Sequence, residues 1–243
     1  MKTAIFGASA GLGRALAEEF AARGDDLFLL ASDERDINAL AADLSLRHKV
    51  KVHTYAVMLG TVPAEAVKKR IVEEIGIPDN LLFPIGVSSK ADNGKIPPDL
   101  VERLISSNFE SVVQLCNVFL DDLKDRPNAN IVAIGSVSAV RGRSNNSVYS
   151  AVKQGLQTYF EGLRHYLAGS ECMTQFYVVG YMKTHMTFGQ KLPFPIMLPA
   201  QAARVISANL GRDLGAVHLP RWWRVITLAF RLVPWFIFRK LKV

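Results

Sequence analysis

A doubly wound α/β fold, a sheet of about seven parallel strands with helices on both faces, is predicted by three observations. Short apolar runs alternate with longer helical patterns along the chain, which is the signature of repeated strand–helix–strand units. The runs are apolar throughout rather than alternating, as strands buried on both faces are. Glycines also cluster between the first apolar run and the first helical stretch.

In order, the apolar runs at 3–6, 27–31, 50–56, 80–83, 130–134, 175–179 and 216–219 are the expected strands. The helical stretches between them are 12–23, 33–46, 64–75, 98–123, 147–168 and 200–210. A chain of 243 residues is one large domain or two small ones at roughly 150 residues per domain. With 49% apolar and 21% charged residues it has the balance of a packed globular protein. No repeat, low-complexity segment or Gly/Ser linker breaks it. The reading is one domain over 1–220, followed by a C-terminal amphipathic tail at 221–243.

Two cysteines, Cys116 and Cys172, stand 56 positions apart. That excludes a disulfide framework and a CxxC zinc site and fits a reducing compartment. The opening MKTAIFGASAG has no charged stretch leading into an apolar one, so no secretory signal is visible and a cytoplasmic location is expected. The net charge of +7 is local. Residues 221–243 hold six basic residues and no acidic one, which leaves 23 basic against 22 acidic in the body. A nearly neutral body argues against nucleic-acid binding, which needs a basic face on the fold.

Gly7, Gly11 and Gly13 close the first strand and open the first helix. A side chain at these positions would push a pyrophosphate away from the free N–H groups of the helix terminus. This strand–turn–helix context makes the turn a candidate dinucleotide cradle built from Gly7, Ser9, Ala10, Gly11, Leu12 and Gly13. The second strand ends Leu29-Leu30-Ala31-Ser32-Asp33. An acidic residue at its tip favours NAD and a basic one NADP. Ser32 suits either ribose, and Asp33 is equally read as the N-cap of the next helix, so NADP(H) and NAD(H) both stay open.

Residues 130–155 read NIVAIGSVSAVRGRSNNSVYSAVKQG. Tyr149 and Lys153, four apart at a helix start, share one face. Ser136 ends the preceding strand. A phenol of ordinary pKa about 10 is a poor acid near neutrality, and a neighbouring ammonium is expected to lower it. The tyrosine is then a proton donor to a carbonyl oxygen, and a serine hydroxyl orients that oxygen.

With these residues the sequence resembles the short-chain dehydrogenase/reductase family over about residues 2–220. The resemblance rests on Gly7-x-x-x-Gly11-x-Gly13, Ser136 and Tyr149-x-x-x-Lys153. It implies a seven-stranded Rossmann sheet, a nicotinamide cofactor and a homodimer or homotetramer. It makes Tyr149 the proton donor, Lys153 the ribose-binding residue and Ser136 the carbonyl holder. It also places a water-holding asparagine at Asn108 and a carboxamide contact at Thr184. Gly86 and Gly180 fall at cradle positions. Three departures touch the cradle. Phe83-Pro84-Ile85-Gly86 replaces Asn-Asn-Ala-Gly, no aspartate follows the third strand in Tyr55-Ala56-Val57-Met58, and Val179 replaces the proline before Gly180.

The resemblance makes 181–199 a lid over the substrate; the segment is apolar and proline-rich, and His185 within it is a weaker substrate-contact candidate. The tail, RWWRVITLAFRLVPWFIFRKLKV, has no uncharged stretch long enough to cross a bilayer. Its aromatic and basic residues match a helix lying in a membrane interface, and Pro234 is expected to kink it or split it into two short pieces. The alternative is a terminal helix docked on the body or on another subunit. The tail and SNNSVYSAVKQGL resemble the branch containing the decaprenylphosphoryl-2-keto-ribose reductases, which implies a lipid-linked carbonyl such as a keto-sugar on a polyprenyl phosphate. The expected function is an NAD(P)-dependent oxidoreductase acting on an apolar or lipid-linked carbonyl, peripheral on the inner face of the membrane. The alternative is a dinucleotide-responsive scaffold without turnover.

Overall fold

The structure, a computed structural model, describes residues 1–189 and 192–241. Gln190 and Lys191 of the expected lid, and Lys242 and Val243 of the tail, lie outside the described residues.

Seven parallel strands form one sheet, and helices follow them in alternation. In chain order these are β1 (Lys2–Phe6), α1 (Gly11–Ala22), β2 (Asp26–Ala31), α2 (Glu34–His48), β3 (Val52–Ala56), α3 (Ala64–Ile75) and β4 (Asn80–Phe83). After α4 (Pro98–Ile105) and α5 (Ser111–Leu123) come β5 (Asn130–Ser136), α6 (Ser147–Tyr166), β6 (Met173–Val179), α7 (Pro199–Asn209) and β7 (Gly215–Leu219). The spatial order is β3-β2-β1-β4-β5-β6-β7. The order reverses between β1 and β4, and ligand clefts of doubly wound sheets lie at the carboxyl ends of the strands beside that point.

The central strands are buried over nearly their whole length because each face carries its own apolar layer. On one side Phe6, Phe28, Phe83, Ile131 and Phe176 pack with α3, α5 and α6. On the other Ile5, Leu29, Leu82, Val132 and Tyr177 pack with α1, α2 and α7. This is the alternation of successive side chains across a pleated strand. The edge strands β3 and β7 are only part-buried.

A row of polar side chains joins the amino ends of the strands, opposite the cleft. The Thr3 hydroxyl donates to Asp25 Oδ2 (2.7 Å), Asn80 Nδ2 to Thr3 Oγ1 (2.9 Å) and Asn130 Nδ2 to Asn80 Oδ1 (3.0 Å). The Gly211 N–H then donates to Asn130 Oδ1 (2.7 Å). Thr3, Asp25, Asn80 and Asn130 are all buried, so each bond offsets a desolvation cost that an apolar strand end would not carry.

Two features depart from the expected elements. The helix read over 98–123 is interrupted by a π turn at Ser106–Glu110, an interruption that recurs at functional sites. The tail divides at Pro234, as expected, into α8 (Trp223–Leu232) and α9 (Trp235–Phe238). Among the described residues no helix is long and apolar enough to cross a membrane.

Candidate active site

The glycine turn is built by close approach. Gly7 has a φ of 98° and Gly11 one of 53°, both in the left-handed region. A Cβ on Gly13 would stand 1.9 Å from the Gly7 carbonyl oxygen, so Gly13 lets α1 sit against β1. A Cβ on Gly11 would meet Thr184 Cγ2 at 3.1 Å. Among the described residues no side chain caps the first turn of α1, so its N–H groups are available to an anion.

A cavity of about 1150 Å³ opens above this turn. Ala10, Gly11, Leu12, Gly86, Ser136, Tyr149, Lys153, Gly180, Thr184 and His185 line it, so most of the residues expected at the site share one space. Ser9 lines a smaller adjoining cavity of about 310 Å³, together with Arg14 and Asp36. Gly7 and Gly13 shape the turn from beneath. Ser32 and Asp33 line neither cavity. Asp33 Oδ1 accepts from the Asp36 N–H at 3.0 Å, which is the capping role among its two readings.

Tyr149 and Lys153 stand on the first turns of α6, buried and on the same face, with the Lys153 Nζ 6.0 Å from the phenol ring centre. Lys153 Nζ donates to the carbonyls of Ile85 (2.6 Å) and Ile134 (2.8 Å). An ammonium has three N–H groups, so one remains. Burial pushes the Lys153 amine down to about 7. Burial also pushes the Tyr149 phenol up to about 12, against the lowering effect of its bond with the Ser136 hydroxyl. The expectation of a phenol lowered by the ammonium is thus corrected: burial raises the phenol, and the one opposing effect comes from the Ser136 hydroxyl and not from the lysine. Ser136 Oγ is also 2.8 Å from Ser138 Oγ and accepts from the Ser138 N–H (3.2 Å).

The Phe83-Pro84-Ile85-Gly86 departure finds its explanation here. Phe83 stacks on Phe6 at 4.7 Å, and the loop meets Lys153 through the Ile85 main chain, which any residue supplies. Asn108 sits in the π turn, fully buried. Its Nδ2 donates to Val87 O (2.9 Å) and Leu104 O (3.0 Å), and its Oδ1 accepts from the Val87 N–H (2.9 Å). Both amide donors are therefore committed to the main chain. Asn108 pins the loop that Lys153 grips two residues earlier, and it does not line the cavity. Gly180 admits the Trp223 indole, since a Cβ there would fall 1.8 Å from Nε1.

Two residues went unforeseen in the sequence. The Asp92 carboxylate, buried in the loop after β4, caps α6 from outside. Its Oδ1 accepts from the Ser147 hydroxyl (2.9 Å) and the Val148 N–H (3.2 Å), and its Oδ2 accepts from the Tyr149 N–H (2.9 Å). Asn146, at the N-cap position, has a φ of 70° and makes no side-chain cap bond. Arg141 fixes the tail. Its Nη1 donates to the carbonyls of Phe230 (3.1 Å) and Val233, and its guanidinium lies 3.9 Å over the Phe238 ring. No local signal marks either residue, because each contact spans more than 50 positions.

A Rossmann-type sheet with a Ser–Tyr–Lys cluster at the carboxyl ends of its strands defines a class of dinucleotide-dependent oxidoreductases. The family profile described as short chain dehydrogenase matches residues 2–191, and the chain belongs to that family. An uncharacterised oxidoreductase of Myxococcus xanthus is 26% identical over 234 residues, covering 95% of this chain and 91% of its own. The 3-oxoacyl-(acyl-carrier-protein) reductase of Escherichia coli is 28% identical over 186 residues, covering 75% and 74%. Among solved structures, a short-chain dehydrogenase from Sphingobium yanoikuyae in complex with NADPH superposes with a TM-score of 0.79. It shares 24% identity over 99% of this chain and 96% of that one.

Proposed function

We propose that the chain is an NAD(P)H-dependent carbonyl reductase acting on an apolar or lipid-linked substrate. The observation that carries this reading is the meeting of Ser136, Tyr149 and Lys153 with the open glycine turn in one cavity. The cradle fits a dinucleotide, since the α1 terminus is uncapped and its glycines keep the approach clear. When bound there, the nicotinamide supplies a hydride to the carbonyl carbon. Ser136 holds the carbonyl oxygen by hydrogen bonding. Tyr149 gives its phenolic proton to that oxygen as it becomes an alcohol. Lys153, anchored on Ile85 and Ile134, offers its remaining N–H to the ribose or the phenolate and stabilises the latter. NADPH is the favoured form: Asp33 is engaged in capping α2, and the Sphingobium relative was solved with NADPH.

Two sets of cavity residues support the substrate class. Phe194, Trp223, Phe230 and Phe238 supply apolar walls. Lys90, Arg141 and Arg143 add positive charge, and Arg143 Nε is buried without a partner among the described residues. A keto-sugar carried on a polyprenyl phosphate combines these chemistries. The test is NADPH and NADH oxidation with keto-sugars, with and without the polyprenyl phosphate, beside apolar ketones. A higher kcat/KM for the lipid-linked sugar is the expected result. Binding of either dinucleotide with no turnover of any carbonyl would favour a scaffold instead.

A further inference from the structure

Helix α8 has two apolar faces, and only one of them is used by the fold. The inner face puts Trp223, Ile226, Thr227 and Phe230 on the cavity, and Thr227 is tied to His218 of β7 at 3.1 Å. The outer face carries Val225, Leu228 and Leu232, which are 71%, 58% and 74% exposed. Their spacing of three and four residues makes one stripe. The exposure continues in α9, where Trp235 and Phe236 are 67% and 62% exposed. Clustered apolar exposure of this kind marks an interaction surface.

Charge identifies the partner. Arg224 and Arg231, two turns apart and exposed, flank the stripe. Arg221, Arg239 and Lys240 are exposed beside it, and no acidic residue occurs in 221–243. A second copy meeting this face would oppose like charges. A layer of acyl chains under anionic headgroups complements both the apolar stripe and the arginines. The ten residues of α8 span about 15 Å, half a bilayer core, so the helix lies along the surface. Arg141 holds α8 and α9 to the body through Phe230, Val233 and Phe238, which presents the stripe already formed.

We propose that α8 and α9 dock the protein on an anionic membrane surface, with the outer face of α8 in the lipid interface while its inner face walls the cavity. An apolar substrate dissolved in the bilayer is then separated from the cavity by the thickness of one helix.

The test is flotation of the full chain with phosphatidylcholine vesicles, with and without phosphatidylglycerol, at low and high salt. Capture by the anionic vesicles, weakened by salt, is expected. Arg224→Gln with Arg231→Gln is expected to lower partition roughly thirtyfold, at about one kilocalorie per cation lost. Replacing Val225, Leu228 and Leu232 by serine is expected to lower it at least as far. All five positions are exposed, and unchanged melting curves would show the variants folded. A readout that needs no substitution is quenching of tryptophan fluorescence by brominated lipid. The proposal is overturned if the parent does not float, if both variants float as it does, or if the serine variant only dissociates a dimer. None of these readouts uses turnover, so failure here leaves the reductase reading standing, and failure of that reading leaves flotation unaffected.

Discussion

At position 149 burial and the hydrogen bond with the Ser136 hydroxyl pull in opposite directions, and burial prevails. A phenol held at about 12 stays protonated through neutral and mildly alkaline pH. It is therefore ready to give a proton in reduction and reluctant to accept one in oxidation. Reduction is expected to show no loss from phenol ionisation across that range, while alcohol oxidation rises with pH; initial rates in both directions check this. Tyr149→Phe is expected to cut reductive turnover by roughly 10² to 10⁴ with dinucleotide affinity little changed, read by steady-state kinetics and fluorescence titration. Lys153 makes a second pH prediction. The unfolded amine holds its proton up to 10.5 and the folded one only to about 7. The unfolded state binds more protons within that window, so this lysine's contribution to stability grows as pH rises through it and is lost as pH falls. Denaturant midpoints of the parent, minus those of Lys153→Met, should increase from pH 7 upward. The serine, tyrosine and lysine were legible because their chemistry depends on short local spacings. The direction of the tyrosine shift was not, because it depends on how tightly distant elements close over the ring.

Among the elements, α6 matters most, because it carries both the phenol and the amine. Its first turn is held by a carboxylate from another loop, where negative charge also favours the positive end of the helix dipole. Asp92→Ala is expected to cost about 1–2 kcal/mol of stability, measured by thermal or chemical denaturation. It should lower kcat more than dinucleotide affinity, since the lost bond is to the Tyr149 main chain. The strands and most helices were readable from periodicity to within a few residues. The π turn at Ser106–Glu110 was not. Ser-Ser-Asn-Phe-Glu continues a helical pattern, and the extra residue in the turn appears only where Asn108 reaches Val87. Arg141 shows the same limit. Its neighbours in sequence read as loop, and its partners lie 89 to 97 positions onward.

For the whole molecule, the catalytic body and the tail enclose one space, and removing residues 221–243 should separate their contributions. Dinucleotide binding is expected to persist, because the glycine turn and Lys153 lie on β1, α1 and α6. Turnover of apolar carbonyls is expected to fall relative to small aldehydes, because Trp223, Ile226, Phe230 and Phe238 leave the wall. Kinetics with paired large and small carbonyls, beside calorimetric NADPH titration, check both statements. The parallel sheet was legible in the alternation of runs, whereas the order of its strands and the tail's inward face were not, since an amphipathic stretch names no partner until the body beside it is known.

The hydrogen-bonded row from Asp25 through Thr3, Asn80 and Asn130 to Gly211 lies at the opposite end of the strands from the chemistry. It works as an index mark. Thr3, Asn80 and Asn130 each bond to both neighbours in the row, so sliding β1, β4 or β5 by one step would strand buried amides and turn core residues to the wrong face. Because strands are stiff, alignment fixed at their roots is carried to their tips. There it sets how far Gly7, Ile85 and Ser136 stand from one another.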